Sequence, residues 1–514
     1  MSLYVPLLII KIAAVIASSI MLIFYFRLKK KKELKKAKIL LIVLIICGVL
    51  FWMNIGIFRP SGVFVYNWEQ FHYFLGTKYF PELGYDGIYV AALQANEEID
   101  PAFFPPFIIR DLRTDKEVYF SAIHSHKAEV RSRFSDERWN EFVEDVKGFP
   151  LNKSIFLDHG YNPTPPFTFI ARLFTAWLPV NDITKTLLGL VDILLAIACC
   201  VLIAQYFNLE RAALFSVVFG IGFVYYFGYL GGSILRFDWF LAMTLTLCYF
   251  QKKQFEFAGM SFAYMVIARV FPIFLLAGLA VYWIRKKRFR PAFSFSRGFL
   301  IMTLILLVLG CFAGRGIQAY PENYQNLANF SISTSGLSLQ YLFMTSWENL
   351  SGQHVNEYSN HINAEVVQEY QDTRQDNIIL VIIGTAAALL FVFFSIAHAR
   401  TPGEALAMSM AIIFCIITLN FYYWVILVFA VFFRSKFTIK SMIVISFITY
   451  IWLALYLSLV LLRHIPHLYS ALTFLPLIVM LTVFFFLWFR PLFWQNARPL
   501  LLKAASRLLK RKGK

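Results

Sequence analysis

Two carboxylates and three arginines are the residues of this chain best suited to chemistry. Glu69 lies in the aromatic string Trp68-Glu69-Gln70-Phe71-His72-Tyr73, and Asp86 in Gly84-Tyr85-Asp86-Gly87. A carboxylate that loses part of its water has its pKa raised toward the range where it can take a proton from a hydroxyl. Glu69 is the first candidate for such a base and Asp86 the second; the plainer alternative for each is a loop carboxylate that pairs with Lys78 or caps a helix. Arg236, Arg269 and Arg315 supply the complementary charge, because the planar guanidinium fork matches phosphate oxygens two at a time. Arg269 is the most informative, since it interrupts an apolar stretch where an unpartnered charge is costly. Arg236 has Asp238 nearby as a local partner, and Arg315 can snorkel to headgroups. His72, one helical turn beyond Glu69, can contact an anion or orient the base, and reads equally well as an interfacial histidine.

Other chemistries find less support. His124, Ser125, His126, Asp158 and His159 hold donor types that suit a divalent cation, so a metal is conceivable as a cofactor, but nothing in their spacing fixes a geometry and scattered surface histidines are the stronger reading. The six cysteines all fall in apolar segments, which gives neither a disulfide framework nor a zinc pattern. The sequence has no phosphate-binding glycine loop, nucleophile elbow or HExxH helix. A net charge of +18 raises nucleic acid as a partner, yet the basic residues cluster at 27–38, 285–290 and 490–514, all beside apolar runs. That is the positive-inside distribution, with attraction to anionic lipid as a by-product, and nucleic acid is set aside.

The scaffold that must position these groups is a membrane one. Hydrophobic residues make up 59% of the 514 and charged residues 15%, too little polarity for the surface of a soluble chain. Runs near or above the ~20 residues that cross a bilayer core occupy 3–26, 39–58, 183–207, 212–230, 377–398, 442–462 and 471–489. Shorter runs at 240–250, 302–312, 406–419 and 421–433 span with help from their flanks. Helices are expected throughout, because each segment must satisfy its own backbone, and the alternation of a β-barrel is missing. The predicted fold is therefore all-α, a polytopic transmembrane helical bundle with two large external loops and short re-entrant hairpins. Hairpins are needed at 167–177, dipping in from outside, and at 257–284, rising from the cytoplasm and broken at Arg269 and Pro272. Every basic cluster beside a span is then cytoplasmic. The resulting divisions are a transmembrane hairpin at 1–58, an external loop at 59–166, a core at 167–313, a second external loop at 314–376, C-terminal helices at 377–489 and a basic tail at 490–514.

Within the first loop, Trp68 to Phe80 has helical spacing and residues 136–149 read as an amphipathic helix lying on the membrane or on the bundle, with Trp139, Phe142, Val143 and Val146 on one stripe. Asp158 to Phe167 is turn-rich, its prolines enforcing extended backbone. The second loop is rich in Asn, Ser and Gln, which suits a hydroxyl-rich ligand and equally an ordinary solvated loop.

Taken in order, these pieces resemble the GT-C superfamily of membrane glycosyltransferases, and most nearly glycosyltransferase family 87. The likeness runs through Trp68-Glu69-Gln70-Phe71-His72-Tyr73, Gly84-Tyr85-Asp86-Gly87-Ile88-Tyr89, the Pro-Pro entry Asn162-Pro163-Thr164-Pro165-Pro166-Phe167, the turn Gly231-Gly232-Ser233-Ile234-Leu235-Arg236, the element Ala268-Arg269-Val270-Phe271-Pro272 and the Tyr-rich Asn420-Phe421-Tyr422-Tyr423-Trp424. The chain departs from the family in having Glu69 where Asp is usual, Arg269 where Lys is commoner, and about seventy residues inserted between Tyr89 and Asn162. The resemblance implies a GT-C-like fold and a mannosyl- or arabinofuranosyltransferase that draws on a polyprenyl-phosphate sugar, with inverting displacement, a glycan or glycolipid acceptor, and membrane lipid around it. It also implies a bacterial inner membrane with the site on the periplasmic face. Glu69 or Asp86 would then be the base, Arg269, Arg236, Arg315 and His72 would hold the donor phosphate, and Asn162, Tyr422, Tyr423 and Trp424 would contact sugar or acceptor; an aromatic belt is the favoured alternative for the last three. A different class, a non-catalytic transporter or flippase of lipid-linked glycans, would need paired inverted repeats, and none is evident.

Overall fold

Apolar faces turned outward identify the solvent of this chain. The computed structural model describes residues 4–59, 62–100, 108–221, 227–329, 336–337, 375–417 and 419–432. The expected spans at 442–462 and 471–489, the tail 490–514 and most of the second loop lie outside the described residues. Among the described residues, Ile9–Lys30, Asp182–Tyr206, Phe289–Ala313 and Ile378–Ala397 are long and apolar enough to cross a membrane. On the second of these, Ile183, Leu187, Leu190, Leu194, Ile197 and Val201 recur at helical spacing and are each at least 40% exposed, while Lys185, Asp192, Cys199 and Cys200 face inward. That is the reverse of a helix in water and suits one bathed in lipid. The chain is a predominantly helical membrane protein.

Helices α1 (Tyr4–Lys30) and α2 (Leu34–Trp52) form an antiparallel pair ahead of a compact loop domain. The domain holds the short helices α3 (Asn67–Gln70), α4 (Gly76–Lys78) and α5 (Phe80–Leu83), then α6 (Ile88–Ile99). A two-stranded antiparallel ribbon, β1 (Ile108–Asp111) with β2 (Lys116–Tyr119), pairs Ile108 with Tyr119. Helices α7 (Phe120–Ile123), α8 (His126–Ser132) and α9 (Asp136–Lys147) follow, and α10 (Pro165–Thr175) leads back to the bundle. The bundle continues through α11 (Asp182–Tyr206), α12 (Leu209–Ile221), α13 (Phe227–Leu230), α14 (Asp238–Gln251), α15 (Phe255–Arg269), α16 (Leu275–Lys286) and α17 (Phe289–Gly310). Beyond α18 (Ala319–Ala328) come α19 (Ile378–Ala397), α20 (Pro402–Ile416) and a tight helical segment, Phe421–Phe432.

Basic turns gather at one end of the bundle. Tyr25 and Lys29 both bond Glu210, the Arg211 guanidinium lies over the rings of Phe207 and Phe432, and Lys252 sits 5.4 Å from the Tyr206 ring. Phe250 meets Phe255, Trp283 and Phe295 there. Because Phe250 touches both the start of α15 and the end of α16, these two helices leave and regain the same end. Between them the chain reverses at Val270, whose φ of 42° breaks α15 directly after Arg269. The 257–284 segment is thus a helix–turn–helix pair. The 167–177 segment differs from its expected hairpin: α10 is one helix, capped by the Thr164 hydroxyl and carrying proline in its first turn. It has no returning limb of its own and packs chiefly against α17.

The loop domain has a core of its own. Phe71, Phe74, Tyr79, Phe80, Leu83, Tyr89, Trp139, Phe142 and Tyr161 are among its buried side chains. Helix α9, expected on the membrane or bundle, instead inserts Trp139, Phe142 and Val146 into this core, with Tyr79 and Phe142 edge to face at 5.0 Å. The inserted residues 90–161 therefore brace the segment that carries Glu69. Lys78, the expected partner of Glu69, lies elsewhere: its ammonium bonds Asp145 at 2.6 Å and Leu178 O at 2.9 Å, and reaches Glu141 at 2.8 Å. Asp145 also accepts from Tyr79 OH and from the amide of Val180. One buried carboxylate so joins α4, α9 and the entry to α11. Asp145→Leu leaves buried Lys78 only the exposed Glu141 and strips Tyr79 OH and the Val180 amide of their acceptor, so it is expected to destabilise the protein by about 3–5 kcal/mol. Thermal unfolding in detergent checks this, and an unchanged transition would refute it.

Candidate active site

The loop domain and the bundle meet around a glycine turn. Gly232 has φ of +69°, and a Cβ there would sit 2.0 Å from Phe64 O, so only glycine lets the two chains approach this closely. Across that contact Tyr66 donates its amide to Gly232 O at 2.9 Å, and the Gln70 amide bridges Gly232 O and Lys185 O. Arg59 adds bonds to Phe64 O and Gly231 O, with its guanidinium 4.4 Å from the Tyr66 ring. Glu69, on α3, is thereby held against the segment that carries Arg236.

Arg236 is placed by Asp192. One oxygen of this buried carboxylate on α11 accepts the backbone amides of Arg236 at 2.7 Å and Phe237 at 3.0 Å. The preceding residue, Leu235, has φ of 50°, an uncommon state for a branched side chain. The Arg236 guanidinium then bonds Glu69 Oε1 at 2.8 Å and Tyr73 OH at 3.1 Å, and Tyr73 OH in turn reaches Asn162 Oδ1 at 3.4 Å. Arg269 stands behind the same turn. It donates to Leu235 O at 3.1 Å, lies 3.6 Å from Asp238 and covers the Phe167 ring at 4.6 Å. Both arginines thus adjoin a residue at positive φ, Leu235 and Val270, and such strain concentrates at functional sites. Asp238, the expected local partner of Arg236, serves Arg269 instead and accepts from Tyr264 OH at 2.9 Å.

Glu69 is the reactive-looking group of this cluster. Its side chain is 14% exposed; Oε1 is engaged by Arg236, whereas Oε2 is buried and has no hydrogen-bond partner among the described residues. Burial lifts its pKa above the ordinary carboxylate value; Arg236 opposes that rise and the charge of Asp158 adds to it. Asp158 is held below its usual range: burial pushes it up, but His72, the Trp68 indole and the His159 amide together outweigh that. Two neighbouring carboxylates are therefore split, one poised to accept a proton and the other fixed as an anion. His72 is buried behind Trp68, its Nδ1–H donating to Trp68 O at 2.9 Å and its Nε2 meeting Tyr89 OH at 2.9 Å. Burial lowers its pKa against the opposing pull of the Asp158 charge, and its two ring bonds make it a brace of the wall.

The remaining predicted residues divide. Tyr423 lines a cleft beside Arg236 with Leu230, Phe237, Trp239 and Val425, its ring 4.9 Å from Phe271. Trp424 turns into the core, its indole donating to Leu419 O at 3.2 Å, and the Tyr422 side chain lies outside the described residues. Asp86 stands apart in the loop domain, clasped by Arg133 and Arg113; burial would raise its pKa, but the two guanidinium groups hold it below the usual range. Arg315 is likewise committed elsewhere, forming a two-pronged pair with Glu322 at 2.7 Å and bonding Pro81 O. His159 bonds Asp115 at 2.7 Å, and among the described residues no three His, Cys, Asp or Glu side chains gather as a metal site. Tyr73 and Asp192 were not singled out in the sequence, and Asp158 was considered there only as a possible metal donor. Tyr73 and Asp158 carried no signal beyond their type. Asp192 did carry one, being the only charge between Lys185 and Tyr206 in an apolar run.

The raised pKa of Glu69 has a consequence for stability. A carboxyl whose folded-state pKa lies above its unfolded value favours folding while protonated and loses that contribution as pH rises through the folded value. Glu69→Gln is therefore expected to unfold at a higher temperature than the parent near neutral pH, with the difference shrinking below the ordinary carboxylate range. Melting curves of both proteins across pH check the sign, and a difference that grows on acidification contradicts it. No family model, curated protein or solved structure matches this chain.

Proposed function

We propose that the chain is an integral membrane glycosyltransferase that moves a sugar from a polyprenyl-phosphate donor to a hydroxyl of a lipid- or polymer-linked acceptor. The observation that carries this reading is Glu69: one oxygen tied to Arg236, the other buried, bare and of raised proton affinity. Its role is to take the acceptor O–H proton on Oε2. The acceptor oxygen then forms its bond to the anomeric carbon as the bond from that carbon to the phosphate oxygen breaks, and the bonding pair leaves on polyprenyl phosphate. Arg236 and Arg269 supply the positive charge this leaving group requires. The two events support each other, because protonated Glu69 releases its hold on Arg236 as the phosphate gains charge. Tyr423, which lines the cleft, and Asn162, linked to Arg236 through Tyr73, are the candidates for contact with sugar or acceptor.

Sidedness follows from charge. The site lies at the end of the bundle opposite the basic turns, which the positive-inside rule assigns to the non-cytoplasmic face of a plasma membrane. A transport route would have to continue beneath the cleft, where the rings of Phe219, Phe237, Phe240 and Phe429 pack together, Phe240 and Phe429 at 4.7 Å. Among the described residues this packing supports the catalytic reading over a transporter.

The test compares lipid-linked and surface glycans by mass spectrometry in cells carrying no gene, the parent gene, Glu69→Gln or Asp86→Asn. Removal of a general base slows transfer by roughly 10²–10⁴-fold, so Glu69→Gln is expected to match the deletion. Asp86→Asn is expected to retain transfer while lowering the melting temperature, since Arg113 and Arg133 lose a partner. Glycans that are unchanged by deletion would dispose of the glycosyltransferase reading, and full activity of Glu69→Gln would dispose of the base.

A further inference from the structure

The lipid-facing stripe of α11 does not stop at the level of the site. Asp192, whose carboxylate bonds the amide of Arg236, marks that level on the helix. Above it the inward face carries Thr184, Lys185 and Leu188, and Lys185 bonds Gly148 O of the loop domain at 2.7 Å. Among the described residues the outward face above it stays apolar and uncovered, with Leu187 56% and Ile183 72% exposed. Helix α10 and the turn that leads from it into α11 carry Leu173, Phe174 and Trp177, all exposed, the last 86%. The opposite side of α10, Thr168, Ala171 and Thr175, is buried.

Helix length sets the scale. From Tyr206, beside the basic turn, to Asp192 is about 21 Å at 1.5 Å per residue, and Ile183 lies about 13 Å higher. A hydrocarbon core of about 30 Å that begins at the basic turn therefore ends well above Asp192 and close to Ile183. A bilayer surface at the level of Asp192 would leave about 9 Å of that core uncovered by the helix and would expose the α10–α11 wall to water. A tryptophan at Trp177 is then where interfacial aromatic side chains gather.

We infer that acyl chains cover the wall formed by Leu173, Phe174, Trp177, Ile183 and Leu187, so that Glu69 and Arg236 lie beneath the lipid surface. Ile183 and Leu187 continue the membrane-crossing stripe of α11, which makes lipid the occupant. This places the site within the thickness of the membrane, entered past the loop domain or between helices. The inference rests on the membrane crossing of α11 and is independent of which reaction the site performs.

Photo-crosslinking in lipid nanodiscs tests it. The full-length protein is made with p-benzoylphenylalanine in place of Phe174, Ile183, Leu194 or Tyr119, all exposed positions, and irradiated adducts are identified by mass spectrometry. Leu194 lies below the site on the lipid stripe, and Tyr119 lies on β2 of the loop domain. Lipid adducts at 174 and 183 are expected at yields comparable to 194 and roughly tenfold above 119. Yields at either position no higher than at 119, or crosslinks to a second copy of the chain in place of lipid, overturn the inference. Absence of lipid adducts at 194 itself overturns it by a separate route, because α11 would then not cross the membrane.

Discussion

A single carboxylate oxygen sets the geometry on which the site depends. Asp192 accepts two consecutive backbone amides, those of Arg236 and Phe237, from a turn that has left helical geometry and cannot satisfy them internally. Were those amides unmet, the turn could relax from the positive φ at Leu235 and carry the guanidinium away from Glu69. The bond is made inside an apolar bundle, where an unmade hydrogen bond is most expensive. The glycine contact at Gly232 acts in the same direction, since it lets the loop domain approach the turn without a side chain between them. Position of the turn, and through it the position of the charge, is thus fixed by groups that never meet a ligand.

The charges themselves come in matched but unequal pairs. Arg236 faces Glu69 at 2.8 Å and Arg269 faces Asp238 at 3.6 Å, and both guanidinium groups bracket one turn. Two cations this close repel each other unless anions accompany them, and in a low dielectric that repulsion is barely screened. The two carboxylates differ in what else they hold. Asp238 receives Trp239 N and Tyr264 OH, so both its oxygens are occupied, whereas Glu69 keeps one oxygen empty. The pair with spare capacity is the one at the junction of loop domain and bundle, beside the cleft. That asymmetry leaves Glu69, rather than Asp238, with an oxygen open to a proton from outside the pair.

How much of this could be read in advance depended on how local each signal was. Glu69, Arg236 and Arg269 were legible because charge in aromatic or apolar sequence is conspicuous whatever the fold. The break after Arg269 was legible too, from Pro272 close behind it. Partnership was not. Lys78 and Asp238 are near Glu69 and Arg236 in sequence and were the natural partners on that ground, yet the fold gives Lys78 to Asp145 and Asp238 to Arg269. Helix α9 misled for a related reason: an amphipathic stripe reports that one face is buried and says nothing of what buries it. Asp86 looked as reactive as Glu69 by type, and only the arrival of Arg113 and Arg133 from later in the chain separates them. The GT-C resemblance located candidate residues without deciding among them.

The division into two cores explains why the site sits where it does. One cluster fills the loop domain and the other fills the bundle. Their junction combines apolar packing of Phe167, Leu188, Ile234 and Leu235 against the loop domain with backbone carbonyls capped by Arg59, Gln70 and Lys185. A junction of that kind tolerates buried polar side chains, since donors and acceptors are already at hand, while the cores on either side keep its dielectric low. Glu69 comes from one body and Arg236 from the other, so their contact exists only when the two are seated together. Residues that seat them, such as Gln70 on two carbonyls and Lys185 on Gly148 O, therefore control the charge state of Glu69 without touching it. Stability and chemistry meet in that seam: loosening it would admit water, return Glu69 toward an ordinary carboxylate and separate it from Arg236 in a single step.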